Sequence, residues 1–263
     1  MVFRFRVLSA AIGVPILIAV VWYGGVALLA LTTALMLLGV REMSSMFSRI
    51  DLQVPLILVI PGCLFLALTA YQYKVGYPAE IVVLLLMFYL VAMLVAYPRL
   101  SPLDVAVSFF STIYVGLLLY IYLLSTLPNG WIWLIIMLIC TWSNDTAAYF
   151  VGRRWGRRRL APELSPGKTV EGSIGGLLVG LLAAWVVTLY YTQLPMELVL
   201  LLGLAIGVAG QAGDLVESAI KRQTGVKDAG NLIPGHGGIL DRFDSILFTA
   251  PLVYYYVGRM LIN

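Results

Sequence analysis

Long apolar stretches, each near the roughly 20 residues that a helix needs to cross a bilayer, recur along the whole of this chain. Of its 263 residues, 61% are apolar and 11% are charged, and the mean hydropathy is +0.97. Soluble globular domains have far more charge than this. We therefore predict an all-α, polytopic integral membrane protein, a helical bundle that forms a single membrane domain over residues 1–263.

Charged clusters and Gly/Pro clusters divide the chain into about nine predicted transmembrane helices. They are residues 7–23, 26–40, 54–70, 80–97, 104–124, 131–151, 171–191, 196–220 and 243–261. The start MVFRFR resembles a signal peptide, but no small-x-small cleavage site follows it, so the first apolar run is kept as a span. We assign residues 1–130 to N-terminal spans and residues 131–263 to catalytic spans and their loops.

The basic residues predict the orientation of the spans. With a cytoplasmic N-terminus, all 17 Lys and Arg residues except Lys74 and Arg259 fall on the cytoplasmic side. In a membrane protein, the distribution of basic residues mainly reflects the orientation of the spans. The net charge of +4 therefore does not indicate nucleic-acid binding. Two long polar loops, residues 152–170 and 221–242, lie on the cytoplasmic side. We therefore expect a multi-pass protein of the cell (inner) membrane whose active site faces the cytoplasm.

The helix that enters the second loop, AIGVAGQAGDLVESAIKRQ, carries charge within an apolar span. At 3.6 residues per turn, Asp214, Glu217 and Lys221 share one face. Ionisable residues inside a span face a bundle interior or a wet cavity, and they indicate function by default. The alternative is a packing carboxylate, with Asp214 paired to Lys221 and no chemistry. Glu42 and Asp104, in contrast, are expected at helix ends, where they carry little information.

The second loop, KDAGNLIPGHGGILDRFDS, combines glycines with carboxylates. Glycines allow backbone N–H groups to converge on an anion. Asp241 and Asp244 would share a face if the last helix begins near them. Hard oxygen ligands beside a glycine-rich turn favour Mg²⁺, which takes one or two carboxylates plus substrate phosphates. His236 could carry a proton or could equally hold a structural or substrate hydrogen bond.

The first loop complements the second with positive charge. The span before it buries Asn144 and Asp145, and Lys168 and the arginines of residues 153–159 could neutralise phosphates. We expect that arginine run mainly to set topology and to contact lipid headgroups. A P-loop is excluded, because the motif needs glycine where the chain has Pro162 and no strand is expected before it. Glycines of the following span, at 172, 175, 176 and 180, indicate a helix-packing face.

The stretch from Ser218 to Asp244, S-A-I-K-R-x4-K-D-A-G-x-L-I-P-G-H-G-G-I-L-D-R-F-D, closely resembles the signature of phosphatidate cytidylyltransferases, the CDP-diacylglycerol synthases. The segments DTAAY (145–149) and LAPELSPGKTVEG (160–172) resemble other motifs of that family, in the expected order. Gly167 and residues 153–159 look like variable positions. The resemblance covers roughly residues 140–250, and the N-terminal spans match only in hydrophobic character.

The resemblance implies transfer of a cytidylyl group from CTP to phosphatidic acid, with Mg²⁺ and room for a second cation, in a homodimer. Asp214 and Asp241 would then hold Mg²⁺, Asp244 would be a further ligand, and Asp145 would complete the acidic pocket. Lys168 and the turn Gly235, His236, Gly237 and Gly238 would contact phosphates. The remaining candidate phosphate-binding residues are Lys221, Arg222, Lys227, Arg242, Ser165 and Glu171.

Two other classes remain open from the residues. A CTP-dependent polyprenol or phytol kinase would transfer the γ-phosphoryl group to an alcohol, and a base such as Asp145 or His236 would then matter. A transporter would use buried Asp and Lys for ion coupling. Transporter sites lie near the midplane of repeated halves, however, whereas these charges concentrate at the cytoplasmic ends of the last spans.

Overall fold

The computed structural model describes residues 18–190, 195–232 and 237–262 and is almost entirely helical. After a helical stretch at residues 18–23, nine numbered helices follow. They are α1 (Gly25–Phe47), α2 (Leu56–Tyr73), α3 (Ala79–Ala96), α4 (Pro102–Gly116), α5 (Leu119–Ser125), α6 (Gly130–Trp155), α7 (Val170–Tyr190), α8 (Met196–Gln223) and α9 (Leu240–Ile262). A 3₁₀ turn, Ser48–Ile50, follows α1, and a two-stranded antiparallel hairpin, β1 (Arg159–Ala161) and β2 (Ser165–Thr169), stands between α6 and α7.

Seven segments of the described chain are long and apolar enough to cross a membrane: α1 with its 3₁₀ turn, α2, α3, α4 with α5, α6, α7 and α8. The prediction of an all-α, multi-pass membrane protein is confirmed. Helix α9 is not among the seven, and the predicted first span lies mostly outside the described residues. The count of nine spans and the cytoplasmic N-terminus therefore stay predictions.

Helix α1 extends well beyond the predicted end of its span at residue 40. Its last turns remain helical because Met43, Met46 and Phe47 are buried and contribute to the core. Glu42 is consequently an interior residue of the helix, only 5% exposed, and its expected place at a helix end is wrong. Asp104 does lie at a helix end, where it forms a capping box with Ser101 at the start of α4.

The described chain divides into two compact units. The first contains the residues up to Thr126 together with Lys221–Phe243, and the second contains Leu127–Ile220 and Asp244 onward. The segment of residues 221–243 thus belongs to the same unit as the N-terminal helices. Whether the chain behaves as one membrane domain stays a prediction.

Glycines allow helices of the second unit to pack at close range. A Cβ at Gly172 would lie 2.7 Å from the carbonyl oxygen of Ala148, and one at Gly176 would lie 2.8 Å from that of Asn144. On α8, a Cβ at Gly213 would lie 2.5 Å from the carbonyl oxygen of Asp244. These distances exclude a side chain, so the predicted packing face of α7 is confirmed, and α8 has a similar close contact at Gly213.

Gly176→Ala should destabilise the protein, because the added methyl group forces α6 and α7 apart, at a typical overpacking cost of about 1–3 kcal/mol. Thermal unfolding in detergent measures the change as a lower apparent melting temperature. Gly258→Ala is the matched control, since a Cβ there meets no atom within 4 Å. Equal melting temperatures for the two variants would contradict the close packing.

Candidate active site

A cavity of about 610 Å³ lies within the second unit, formed by α6, the hairpin, α7 and α8. Its volume is within the range of small-molecule sites, roughly 300–1,000 Å³. Two carboxylates and three cations line it: Asp145, Asp214, Arg153, Arg159 and Lys168. Such a lining suits an anionic ligand that is bound with a cation. Four of the predicted site residues, Asp145, Ser165, Lys168 and Asp214, are thereby brought together.

Lys168 and Asp214 form an ion pair in this cavity. The Nζ atom of Lys168 lies 2.5 Å from the carboxylate of Asp214, and the two side chains are 25% and 32% exposed. The hydroxyl group of Ser218, one turn further along α8, donates to the same carboxylate at 3.4 Å. The pair joins the hairpin to α8, since Lys168 lies on β2, and it leaves both charged groups in contact with the cavity.

Asp145 is positioned by two polar neighbours. Its carboxylate accepts hydrogen bonds from the side-chain amide of Asn144 at 3.2 Å and from the hydroxyl of Ser245 at 3.3 Å. It also interacts electrostatically with Asp214 and with Lys168. The two acids therefore belong to one charged group in which Lys168 supplies the compensating cation.

A polar network in the wall of the cavity includes two lining residues that the sequence reasoning missed, Gln211 and Ser173. The side-chain amide of Gln211 donates to Asn144 Oδ1 and to the Ser173 carbonyl, both at 3.1 Å, and accepts from the Ser173 hydroxyl. Asn144 is fully buried, so these bonds fix the amide that in turn donates to Asp145. The sequence feature that could have identified Gln211 is its place on α8, one turn before Asp214 and on the same face of the helix.

Side-chain to backbone hydrogen bonds hold the hairpin, and the turn that precedes it, to the start of α7. Thr169 caps the start of α7, accepting from the Gly172 N–H at 3.1 Å. Glu171 accepts from the backbone N–H groups of Arg157 at 2.9 Å and Arg158 at 3.2 Å. Glu171 thus orders the arginine-rich turn and is not among the residues that line the cavity.

One expectation about this loop needs correction. A short strand, β1, does precede Pro162, contrary to the sequence reasoning. The P-loop is nevertheless excluded, because position 162 is proline and Lys168 lies on a strand of a hairpin and not in a glycine-rich loop. The role of the arginine run in topology and lipid contact stays a prediction, and Arg153 and Arg159 also line the cavity.

Asp241 organises the second polar loop, residues 221–242, which we call the signature loop. This loop lies within the first unit. Its carboxylate pairs with Lys221 Nζ at 2.8 Å and accepts the N–H groups of Gly238 at 2.8 Å and Ala229 at 2.9 Å. Burial tends to raise the pKa of Asp241, but the bonds from Lys221 and the two N–H groups outweigh it, and the pKa lies below its usual value. The carboxylate therefore stays ionised well into the acidic range.

The other predicted phosphate-binding residues of this loop differ in their settings. Arg222, Lys227 and Arg242 are exposed, whereas the N–H of Gly238 is engaged by Asp241. Gly237 has a φ of +84°, a conformation that requires glycine. Gly235 and His236 lie outside the described residues. Asp244, in the first turns of α9, accepts the Ser245 N–H at 2.6 Å.

Within the part of the chain that the structure describes, no three His, Cys, Asp or Glu side chains form a group that could hold a metal ion. A Mg²⁺ ion does not need such a group, because it keeps waters and binds through one or two carboxylates plus substrate phosphates. The oxygen donors of Asp145 and Asp214 fit that requirement. The predicted ligand set Asp214, Asp241 and Asp244 stays a prediction.

Comparison with known proteins identifies the family. Residues 4–260 match the model of the cytidylyltransferase family. The chain belongs to this family. It is 34% identical over 253 residues to the phosphatidate cytidylyltransferase of Staphylococcus saprophyticus, covering 95% of this chain and 97% of the relative. The phosphatidate cytidylyltransferase of Bacillus subtilis is 54% identical over 119 residues, 44% of each chain. The sequence resemblance to this family is confirmed over nearly the whole length.

Gln211→Leu should lower both stability and activity of this cytidylyltransferase, because Asn144 Oδ1 and the Ser173 hydroxyl lose their partner. An unsatisfied buried polar group costs about 1–3 kcal/mol. Apparent melting temperature and turnover are the measurements, with the exposed Gln223→Leu as a control of identical chemistry. Wild-type turnover in Gln211→Leu would show that the network does not position Asp145.

Proposed function

We propose that this chain transfers a cytidylyl group from CTP to phosphatidic acid, giving CDP-diacylglycerol and pyrophosphate in phospholipid biosynthesis. The observation that carries this proposal is the family match over residues 4–260, joined to relatives of that name aligned over 95% of the chain. The cavity supports it independently, because it places cations of α6 and of the hairpin beside carboxylates of two candidate membrane-spanning helices.

The proposed reaction requires positioning and charge stabilisation more than a base. A phosphate oxygen of the lipid attacks the α-phosphorus of CTP, the bond from that phosphorus to the bridging oxygen breaks, and pyrophosphate leaves with the bonding electrons. The attacking group is already an anion, so no proton need be removed from it. The barrier is lowered by alignment of the two anions and by cations placed where charge develops.

The cavity residues supply those cations. Lys168, Arg153 and Arg159 line the same cavity, where we propose that they bind phosphate oxygens of the nucleotide. Ser165 lines it too and would add a hydroxyl donor. Glu171 would act on the site indirectly, because its carboxylate accepts hydrogen bonds from the backbone N–H groups of Arg157 and Arg158. The arginine-rich turn is then part of the substrate site in addition to any role in topology.

We propose Mg²⁺ as the cofactor, held by Asp214 with Asp241 and Asp244 as the sequence suggests, and with Asp145 beside Asp214; a second cation is compatible. When bound, the ion would neutralise charge on the phosphates of both substrates. Asp145 and Asp214 contribute oxygen donors in a fixed arrangement, since each is already hydrogen-bonded. Lys168 compensates their negative charge.

The signature loop would supply a second set of phosphate-binding residues. We propose that Lys221, Arg222, Lys227 and Arg242 provide positive charge, and that the turn from Gly235 through His236 and Gly237 to Gly238 provides polar contacts. Gly238 contributes chiefly by donating to Asp241, which keeps the turn in place. The exposed arginines and Lys227 remain accessible to a lipid headgroup or to CTP.

The membrane determines how the lipid reaches the site. Phosphatidic acid keeps its acyl chains in the bilayer, so we propose that the site opens sideways at the level of the headgroups and faces the cytoplasm of the cell membrane. The excess of Lys and Arg in the loops that carry the motifs supports this orientation. We also propose a homodimer, on the strength of the family resemblance alone.

Isotopically labelled CTP distinguishes cytidylyl transfer from a kinase reaction. With reconstituted protein, phosphatidic acid and Mg²⁺, label at the α-phosphorus should appear in the lipid product and label at the γ-phosphorus should appear in pyrophosphate. A chelator should stop the reaction. Transfer of the γ-label to a lipid alcohol would instead identify a kinase and overturn the proposal.

Asp214→Asn and Asp241→Asn should each reduce turnover by at least a hundredfold, a typical effect of removing one charge-stabilising group, while the protein still folds in detergent. Asp51→Asn is the control, because Asp51 is exposed and its left-handed conformation suits asparagine. Retained activity in both site variants would refute the metal assignment.

A further inference from the structure

The carboxylate of Glu42 binds the signature loop from a distant part of the sequence. Glu42 lies in α1, yet its oxygens accept the backbone N–H groups of Ile239 at 2.8 Å and Leu240 at 2.9 Å. These partners are 197 and 198 positions away along the chain. All three residues belong to the first compact unit. The contact therefore ties an N-terminal helix directly to the motif that carries Asp241.

The position of this contact explains why a buried carboxylate is tolerated. Leu240 is the first residue of α9, and the first N–H groups of a helix have no partner within the helix. The positive end of the helix dipole also favours an anion there. Glu42 thus satisfies two backbone donors at the start of α9, as a local capping side chain would, but it comes from another helix.

Two glycines of the signature loop make room for this carboxylate. A Cβ at Gly230 would lie 2.6 Å from Glu42 Oε1, and a Cβ at Gly238 would lie 2.6 Å from the same atom. Any side chain at either position would displace Glu42 or the loop. Phosphate binding therefore need not be the reason for these glycines, since both also enclose the Glu42 carboxylate.

The loop is held by two carboxylates at adjacent points. Asp241 accepts the N–H of Gly238, and Glu42 accepts those of the next two residues, Ile239 and Leu240. Three consecutive N–H groups are thus fixed immediately before and at the start of α9. Asp241 itself is the residue that follows Leu240, so displacement of this turn would also displace the Asp241 side chain.

We propose that Glu42 is a positioning residue for the cytidylyl-transfer reaction: it fixes the first turn of α9 and so sets the position of Asp241. The inference rests on the proposed function, because it assumes that Asp241 is a residue of the Mg²⁺ and nucleotide site. It also gives the N-terminal helices a specific part in the chemistry, beyond anchoring the protein in the bilayer.

Glu42→Gln tests the inference, because the amide keeps the size of the side chain and retains one acceptor oxygen while losing the second. We expect the Mg²⁺ concentration for half-maximal activity to rise roughly tenfold, the effect of weakening one charge-assisted hydrogen bond. The melting temperature should also fall, because the Leu240 N–H loses its acceptor. Hydrogen exchange of a peptide covering residues 237–243 should become faster. The exposed Glu80→Gln is the matched control and should behave as the wild type.

A second variant keeps the test decisive if Glu42→Gln does not fold. Gly230→Ala pushes the Glu42 carboxylate away without removing it, and it should give the same shift in Mg²⁺ dependence and exchange. Gly258→Ala is its control. A drop in turnover that parallels a drop in melting temperature, with unchanged Mg²⁺ dependence, would mean a merely structural role and would overturn the inference. So would wild-type behaviour of Glu42→Gln.

Asp241→Asn, measured alongside, separates this inference from the proposed function. If Asp241→Asn shifts the Mg²⁺ dependence but Glu42→Gln does not, only the role of Glu42 is refuted. If Asp241→Asn has wild-type Mg²⁺ dependence, the assignment of Asp241 to the site fails and the inference fails with it. Support requires that both variants shift the Mg²⁺ dependence while both controls do not.

Discussion

Charged side chains within membrane-spanning helices need partners inside the protein, and this requirement organises the structure. Lipid offers no hydrogen bonds and screens no charge, so a carboxylate near it needs a cation or polar hydrogens from the protein. Asp214 meets Lys168, Asp241 meets Lys221, and Glu42 meets backbone N–H groups. Each pairing joins segments that are distant in sequence, so the same contacts that make the charges tolerable also assemble the functional residues.

Close helix packing is the second condition for the site. Without side chains at Gly172 and Gly176, α7 approaches α6 closely enough for the buried polar network to form. Asn144, Gln211 and Ser173 then share hydrogen bonds in a space where an unsatisfied group would be costly. The result is a rigid wall for the cavity, and a rigid wall suits a reaction that depends on alignment of two phosphates.

Much of the fold follows from simple sequence properties. Apolar stretches of spanning length located the helices, and the charged motifs located Asp145, Lys168 and Asp214, which share a cavity. The contributions of Glu42 and Gln211 could not be read in this way, since hydropathy shows that a polar residue lies in a span but does not show its partner. The hairpin was missed because β1 and β2 are only three and five residues long, too short for a periodic pattern.

The central claim is that the cavity lined by Asp145, Lys168 and Asp214 is where CTP reacts. The most direct measurement is a structure determined in a membrane mimetic with CTP and with Mn²⁺ in place of Mg²⁺, so that the metal can be located by its scattering. The triphosphate should lie against Lys168 and the arginines, with the metal at Asp214. A nucleotide bound elsewhere, with Asp145 and Asp214 contacting neither metal nor phosphate, would contradict the claim.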